Sequence, residues 1–530
     1  MGSEMCIRDS AIAEPIIRTT KSQIPLMVVL DDSYSMLAGA GDTPRSRSIT
    51  ALDKLLKPEG LNPLAKPRYG VRYVLAGTEP QLLSEEAKSA SEAIAELERW
   101  KCLSPSADLE AAISFAAALG DSQMFMLVVT DETPANPLKS ERIQWWGFGT
   151  PEPNMAFVNA TRNPYESGER CLFEISNLSG GERSTELIVE SYGTVDGDSP
   201  ARLHHSTVAI RPMETHRVFL NLPPKTPALR ARIGEDSLSI DNTVVLLPQI
   251  RKPVYVDIRI QNQRLRSLIE DALEATKRSV PATTQPDLIF LDQTTLADDI
   301  GEAWIMRLVV EPEASAYLGP FVVNRAHPLT EGLSFDGVVW GAGMTEEFIG
   351  VPIITAGNVP LLTDTERYTG SHELCLRLRP ELSTLQTSPN WPALIWNLLE
   401  WRASGTPGLQ RTNLRLGEAT VLNTKLGVES VRIVPPNGEI HDQPVLERKV
   451  NLMAREVGVY EVETGSETYT FSSNVLNQAE SDLRTRGTGR WGDWGDNTLE
   501  WWGYRSFAWF FLLLAITTLT LHLILVKRGL

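Results

Sequence analysis

The sequence predicts a multidomain protein that combines α/β domains with β-rich domains and ends in one apolar helix. Two segments alternate buried-strand patterns with helical patterns, which is typical of a mainly parallel sheet with both faces covered. Two other segments contain only short alternating strands separated by turn residues. The chain has 530 residues, and at about 150 residues per domain this length corresponds to roughly three or four domains.

Composition and charge exclude several classes of protein. The chain carries 67 acidic and 50 basic residues, a formal net charge of −17, whereas a nucleic-acid partner requires a basic surface. Four cysteines are too few for a disulfide scaffold, and no CxxC pair is present for structural zinc. We therefore expect a folded protein with no nucleic-acid partner.

The first predicted α/β domain covers residues 24–152. Buried-strand patterns alternate there with Ala-rich helical patterns. The strand patterns lie at 24–30, 69–77, 124–132 and 142–149, and the helical patterns at 85–99 and 108–119. This order favours a doubly wound, Rossmann-like sheet.

Four further segments follow the first domain. We expect a β-sandwich, a second doubly wound α/β domain of the flavodoxin-like kind, a second β-rich module and a polar linker containing Gly and Trp. In that order they cover residues 155–250, 252–402, 408–475 and 476–505.

The segment 507–526 is predicted to be a transmembrane helix in contact with membrane lipid. It contains no Asp, Glu, Lys or Arg, and 20 helical residues span roughly 30 Å, the thickness of the hydrocarbon core. Lys527 and Arg528 follow it, which favours a cytoplasmic C-terminus.

The first ten residues, MGSEMCIRDS, resemble a translated sequencing-adapter artefact and have no apolar core of a signal peptide. We therefore expect the native sequence to begin near Ala11 and to be preceded by further residues that this chain lacks. A short native terminus is the alternative interpretation.

The motif that points to chemistry is DDSYS, directly after the buried strand pattern 24–30. Asp31, Ser33 and Ser35 provide one carboxylate and two hydroxyls at alternate positions of a loop, and Asp131 ends a later strand. Ligands of open α/β sheets bind at this edge, and hard oxygen donors suit Mg²⁺, with Mn²⁺ and Ca²⁺ as alternatives. A network of Asx turns that binds no metal is the other interpretation.

This arrangement resembles the metal-ion-dependent adhesion site (MIDAS) of von Willebrand factor A domains, which has a DxSxS loop, a Thr in a second loop and an Asp after a later strand. The resemblance implies that Asp31, Ser33, Ser35 and Asp131 bind metal and that the metal binds a protein partner. At the Thr position this sequence has Ala107, so the site is degenerate. Ser106 and Asp108 are the candidate substitutes.

A wider set of segments, together with the DDSYS motif and the C-terminal apolar helix, resembles bacterial BatA-like membrane proteins. The segments are 13–20, 24–36, 157–163 and 241–248. The resemblance implies additional N-terminal membrane helices, a soluble part outside the inner membrane, and partners that include a MoxR-type ATPase system and other membrane proteins. The implied role is in cell-envelope or stress processes.

Residues 252–402 resemble class I glutamine amidotransferase-like domains. The resemblance is carried by PDLIFLD, AHPLTEGL and NWPALIWNLLEW at 286–292, 326–333 and 390–401. Those enzymes use a Cys at a turn from strand to helix, activated by a His and an acid. The single Cys of this segment, Cys375, lies in a strand-like pattern without flanking Gly, and neither His327 nor His372 follows the family's order. We expect this domain to be non-catalytic.

The sequence therefore predicts a membrane-anchored interaction protein that is not an enzyme. Two alternatives remain at this point. One is an amidotransferase-type hydrolase in 252–402, and the other is a tail-anchored scaffold on the cytoplasmic side.

Overall fold

The computed structural model describes most of the chain. The described residues are 16–20, 24–57, 69–84, 89–120, 124–136, 141–165, 168–192, 200–249, 252–293, 301–343, 350–367, 370–465, 467–494, 502–506, 513, 516–520, 522–524 and 527. They form a multidomain mixed α/β protein in which strands predominate, which confirms the predicted class at this level.

The first domain contains one six-stranded sheet with helices on both faces. Its elements are β1 (Ile16–Thr20), β2 (Ile24–Asp31), α1 (Pro44–Leu56), β3 (Tyr69–Ala76), β4 (Gln81–Leu82), α2 (Ala90–Glu96), α3 (Leu109–Leu119), β5 (Phe125–Thr130) and β6 (Ile143–Phe148). Strands β6, β5, β2 and β3 are adjacent and parallel, and β4 is an antiparallel edge. The first long strand, β2, therefore lies in the middle, where the strand order reverses.

Alternate residues of β2 enter two different cores, because successive side chains of a strand point to opposite faces. Leu26, Val28 and Leu30 pack in the core that contains residues of α1 and α2. Met27 and Val29 pack in the core that contains residues of α3. The buried run that predicted this strand is therefore explained by a sheet covered on both faces.

The β-sandwich follows. Its strands are β7 (Asn154–Tyr165), β8 (Gly168–Leu178), β9 (Arg183–Ser191), β10 (Arg202–Ile210), β11 (Thr215–Leu222), β12 (Leu229–Arg232) and β13 (Thr243–Leu246). The orders β10-β9-β12-β13 and β11-β8-β7 define two antiparallel sheets. Both sheets contribute to one core, with Phe157 and Phe173 from one and Val189 and Leu229 from the other.

The second α/β domain contains an eight-stranded mixed sheet and two helices. Its elements are β14 (Val254–Arg259), α4 (Gln263–Thr276), β15 (Ser279–Pro281), β16 (Leu288–Asp292), β17 (Trp304–Val309), β18 (Ala314–Leu318), β19 (Val322–Val323), β20 (Val339–Gly343), β21 (Val351–Ala356), β22 (Val359–Glu366), β23 (His372–Arg377) and α5 (Asn390–Gly405). The sheet order is β15-β14-β16-β17-β23-β22-β21-β19, with the first five strands parallel. Strands β18 and β20 form a separate two-stranded antiparallel sheet.

The second β-rich module consists of two small sheets around one core. Its strands are β24 (Gly408–Leu409), β25 (Asn413–Arg415), β26 (Ala419–Asn423), β27 (Ser430–Val434), β28 (His441–Pro444), β29 (Lys449–Met453), β30 (Gly458–Glu463) and β31 (Thr468–Asn474). Asn474 exchanges two hydrogen bonds with the backbone of Val245, which joins this module to the β-sandwich. Short 3-10 helices occur at Tyr34–Leu37, Leu97–Arg99, Ser239–Asp241, Pro328–Thr330, Pro380–Leu382, Leu385–Thr387 and Leu483–Thr485.

The segment 476–505 corrects the prediction of a linker. It contains α6 (Gln478–Ser481), β32 (Thr488–Trp491) and β33 (Trp502–Ser506). Strand β32 pairs antiparallel with β6 and completes the first sheet, and β33 pairs with β1. The sequence TGRW has no apolar alternation, so its strand conformation depends on pairing with β6, a long-range contact that local patterns do not contain.

The predicted transmembrane segment 507–526 lies largely outside the described residues. Leu513, 516–520 and 522–524 are described, and they are helical and exposed. Among the residues that the structure describes, no helix has both the length and the apolar character needed to cross a bilayer. The predicted adapter segment 1–10 also lies outside the described residues.

Candidate functional site

The loop after β2 brings the three predicted ligands of the DDSYS motif together. Asp31 Oδ1 accepts hydrogen bonds from the amide of Ser33 at 2.9 Å and from its hydroxyl at 2.5 Å. The hydroxyl oxygens of Ser33 and Ser35 are 3.1 Å apart. The motif closes into a short 3-10 turn at Tyr34–Leu37, so alternate side chains of the loop meet at one point.

The end of β5 supplies the neighbouring groups. The Thr130 hydroxyl donates to Asp31 Oδ2 at 2.5 Å, and Asp131 follows directly in the chain. Asp131 is buried, and neither of its carboxylate oxygens accepts a hydrogen bond. Sequence reasoning identified Asp131 but missed Thr130, although a Thr at the end of a strand parallel to β2 was a usable signal.

The second loop of the site differs from the predicted arrangement. Asp108 caps α3 by accepting a hydrogen bond from the amide of Ala111 at 2.9 Å. The residue paired with Ser33 through the backbone is instead Ser104, whose hydroxyl donates to the carbonyl of Ser106 at 2.8 Å. Substitution of the missing Thr by Ser106 or Asp108 stays a prediction.

A C-terminal segment covers the site. Residues 476–491, which we call the arm, leave the second β-rich module, pass over the DDSYS loop and end as β32. The Tyr34 hydroxyl donates to the carbonyl of Asn477 at 2.9 Å, and the amide of Gly487 donates to the carbonyl of Asp131 at 2.9 Å. The Asn477 side chain also donates to the carbonyl of Pro105 at 2.8 Å.

The arm places one cation and one further carboxylate at the site. Arg486 Nη1 lies 3.3 Å from Asp131 Oδ1 and is also paired with Glu132, while Nη2 lies 3.0 Å from Glu480 Oε1. The Arg486 side chain is 4% exposed. Sequence reasoning missed both arm residues because they lie about 350 or more positions along the chain from their partners.

Burial changes the electrostatics of these groups. It raises the pKa of Asp131, and the Arg486 guanidinium opposes that rise. Burial also raises the pKa of Glu480, and the Arg486 guanidinium opposes that rise. Burial lowers the pKa of Arg486, but the surrounding carboxylates outweigh it and raise that pKa above its usual value.

The residues of the site fit a small divalent cation. Asp31, Asp131 and Glu480 are three buried carboxyl groups beside one buried guanidinium, and a bound cation would stabilise the ionised forms that burial disfavours. The Ser33 hydroxyl donates a hydrogen bond to Asp31, so the lone pairs of the Ser33 oxygen remain available to a cation. Within the described part of the chain, no group of three His, Cys, Asp or Glu side chains is arranged around a metal position. A cation here would therefore depend on serine hydroxyls and water as well as carboxylates.

The second α/β domain places its candidate residues differently from an amidotransferase. Cys375 lies within β23, between Arg307 of β17 and Thr363 of β22. Because His372 is three positions away on the same strand, its side chain points to the opposite face. His372 Nδ1 instead lies 2.9 Å from Asp364.

Two solved structures from Bacteroides show local likenesses to this chain. An aerotolerance-related membrane protein of Bacteroides fragilis is 19% identical, with 27% of this chain and 73% of that chain covered and a TM-score of 0.19. The conserved hypothetical protein BatB of Bacteroides thetaiotaomicron is 18% identical, with coverages of 24% and 69% and a TM-score of 0.19.

A Bifidobacterium adolescentis GH3 β-glucosidase is 12% identical, with coverages of 20% and 18% and a TM-score of 0.15. No protein-family model and no curated protein matches the chain. Matches with TM-scores this low do not assign a function to the chain.

Proposed function

We propose that this chain is a membrane-anchored interaction protein whose DDSYS site binds Mg²⁺ and, through it, a carboxylate of a protein partner. The observation that carries the proposal is the buried carboxylate of Asp131. Its oxygens accept no hydrogen bond beside the converging side chains of Asp31, Ser33 and Ser35. Asp31, Ser33 and Ser35 would hold the ion, with Asp131 close by. A bound Mg²⁺ supplies an electrophilic position that attracts a partner's carboxylate.

The proposal assigns no catalytic step. Cys375, the only candidate nucleophile among the predicted site residues, lies inside a strand rather than at a turn from strand to helix. His372 and His327 are both oriented towards Asp364, at 2.9 and 3.6 Å. We therefore assign residues 252–402 a structural or docking role, and expect a glutamine-analogue electrophile to leave Cys375 unlabelled.

The membrane anchor and the cellular role are parts of the same proposal. The anchor is supported by the charge-free apolar sequence 507–526. The resemblance to BatA-like proteins supports a place at the inner membrane with the soluble part outside it. It also supports a role in envelope or stress processes together with a MoxR-type ATPase system.

Calorimetric titration of Mg²⁺ into the detergent-solubilised full chain tests the site. Asp31→Ala should weaken binding at least about 100-fold, or about 2.7 kcal/mol. Asp42→Ala is the matched control, because Asp42 is exposed in the same domain and should leave the affinity unchanged. Identical isotherms for the wild type and Asp31→Ala, or no binding by the wild type, would contradict the metal site.

A further inference from the structure

We propose that the arm is the site's own ligand: Glu480 occupies the position that a partner's carboxylate takes, and a partner binds only when the arm leaves. The proposal rests on the proposed function, since it names what competes for the same site. It also specifies the partner as a peptide segment that resembles the arm.

The predicted metal ligands are closed off from solvent. Asp31, Ser33, Ser35 and Asp131 are each at most 1% exposed, although a site for a partner must be reachable from solvent. The residues that cover the site include Glu480 and Arg486 of the arm, which are themselves buried. The arm must therefore move before any external carboxylate reaches the loop.

Glu480 lies in the chain between Asn477 and Ser481, and the hydroxyl of Tyr34 in the DDSYS motif contacts both of these neighbours. The carboxylate of Glu480 is buried and is joined to Asp131 through Arg486, which lies 3.3 Å from Asp131 Oδ1. Glu480 Oε1 accepts a hydrogen bond from Arg486 at 3.0 Å. The site thus already contains an acidic side chain on a segment that comes from another module.

Ion pairs and hydrogen bonds hold the arm against the site. Arg486 pairs with Asp131, Glu132 and Glu480. The Ser481 hydroxyl lies 3.1 Å from the Tyr34 hydroxyl, and the Ser481 carbonyl accepts from Asn154 at 3.0 Å.

The arm is nevertheless made of short elements. Helix α6 has only four residues, too few to be stable without its contacts. Strand β32 is an edge strand held mainly by backbone pairing with β6, which another extended segment can replace.

These contacts define the partner. It carries an arginine that reaches Asp131 and Glu132, and a carboxylate about six residues earlier that pairs with this arginine, as Arg486 and Glu480 do here. The arginine matters because a partner that supplied only a carboxylate would leave Asp131 without the guanidinium that now faces it.

Hydrogen–deuterium exchange of the full chain in detergent with Mg²⁺ tests whether Glu480 binds at the site. Glu480→Gln keeps the size of the side chain but removes its charge, and the arm should exchange about tenfold faster or more. Asp482→Asn is the control, because it removes the same charge two residues away, where Asp482 pairs with the partly exposed Arg484. Equal exchange in the two variants would overturn the proposal.

A labelled peptide with the sequence of residues 476–491 tests the partner class. It should bind Glu480→Gln about tenfold or more tightly than the wild type, because loosening the internal arm raises the fraction of open sites. Equal binding to both proteins would overturn the proposal.

The two experiments separate this proposal from the proposed function. In one outcome, the Glu480→Gln variant exchanges at the wild-type rate while Mg²⁺ binding still depends on Asp31. That result would contradict the role of the arm as a ligand and would still support the metal site. If the faster exchange and the peptide binding both persist after Mg²⁺ is chelated, the arm competes with the peptide for the site. That result would contradict the proposal that the site binds a metal ion.

Discussion

Thr130 links the two strand ends that form the candidate site. Its hydroxyl donates to Asp31 Oδ2 and also accepts a hydrogen bond from the amide of Glu132 at 3.1 Å. It is buried, so water cannot replace either bond. Thr130 is therefore expected to hold the Asp31 carboxylate in position from the neighbouring strand.

Thr130→Val should destabilise the first domain by about 1–3 kcal/mol, because it leaves a buried carboxylate oxygen and a backbone amide without partners. The measurement is denaturant unfolding of the full chain, and the expected change is confined to the transition of this domain. Thr50→Val is the control, since Thr50 is exposed on α1. An unchanged transition for Thr130→Val would contradict the assigned role.

Lys252 gives a prediction for pH dependence. Burial lowers its pKa from 10.5 to about 8, and its ammonium donates to the carbonyl of Thr406 at 3.0 Å. Between these two pH values the unfolded chain binds more protons than the folded chain, so the free energy of unfolding should rise with pH in this window.

Denaturant unfolding followed across pH 8 to 10.5 checks this prediction. Lys252→Met should remove the part of the rise in unfolding free energy that the titration of Lys252 causes. Lys277→Met should retain it, because Lys277 is exposed at the end of α4. The same pH profile in both variants would contradict the expected titration of Lys252.

The residues of the site were predictable from sequence to different degrees. Asp31, Ser33 and Ser35 lie within five positions, so their spacing and the preceding strand pattern indicate that they converge. Glu480 and Arg486 are hundreds of positions away and have no local signature. Only the three-dimensional structure places them at the same point.

At the scale of elements, the strands that enclose the site were predictable because they are buried on both faces. The runs that became β2 and β5 are uniformly apolar, as parallel strands with covered faces require. Strand β32 was not predictable, because an edge strand needs no apolar alternation.

Gly149 allows the close approach between the end of β6 and the arm. A Cβ at this position would lie 1.9 Å from the carbonyl oxygen of Asp131 and 2.8 Å from Cβ of Arg486. No other residue type fits there without displacing backbone. Gly149 therefore lets the backbone of the arm pack directly against the carbonyl of Asp131.

Gly149→Ala should separate the arm from β6 and increase the exchange of its amides about tenfold or more. Gly180→Ala is the control, because a Cβ at Gly180 would meet no atom within 4 Å. Hydrogen–deuterium exchange of the full chain distinguishes them. Identical protection of the arm in both variants would contradict the close packing at Gly149.

At the scale of the whole molecule, the site lies where the modules meet. Tyr34 of the DDSYS motif packs in one buried cluster with Leu238 of the β-sandwich segment, Leu416 and Val475 of the second β-rich module, and Leu483 of the arm. The sequence predicted separate modules in a row. The structure shows instead that modules distant in sequence share a junction at the candidate site, and such long-range packing is not encoded in local periodicity.

In the proposal, the arm at this junction controls whether a partner can bind at the site. Binding at the DDSYS loop and release of the arm are linked, because the arm contacts Tyr34 of the loop and pairs with Asp131 through Arg486. A ligand that favours the released arm must therefore supply the difference in free energy between the two states.

The most direct test of the central claim is a crystal structure of the full chain grown with Mn²⁺, which takes the same oxygen donors as Mg²⁺ and scatters anomalously. We expect an anomalous peak bonded to the carboxylate of Asp31, to the hydroxyl oxygens of Ser33 and Ser35, and to the carboxylate of Glu480. A map without a peak there, with Arg486 alone facing Asp131, would contradict it.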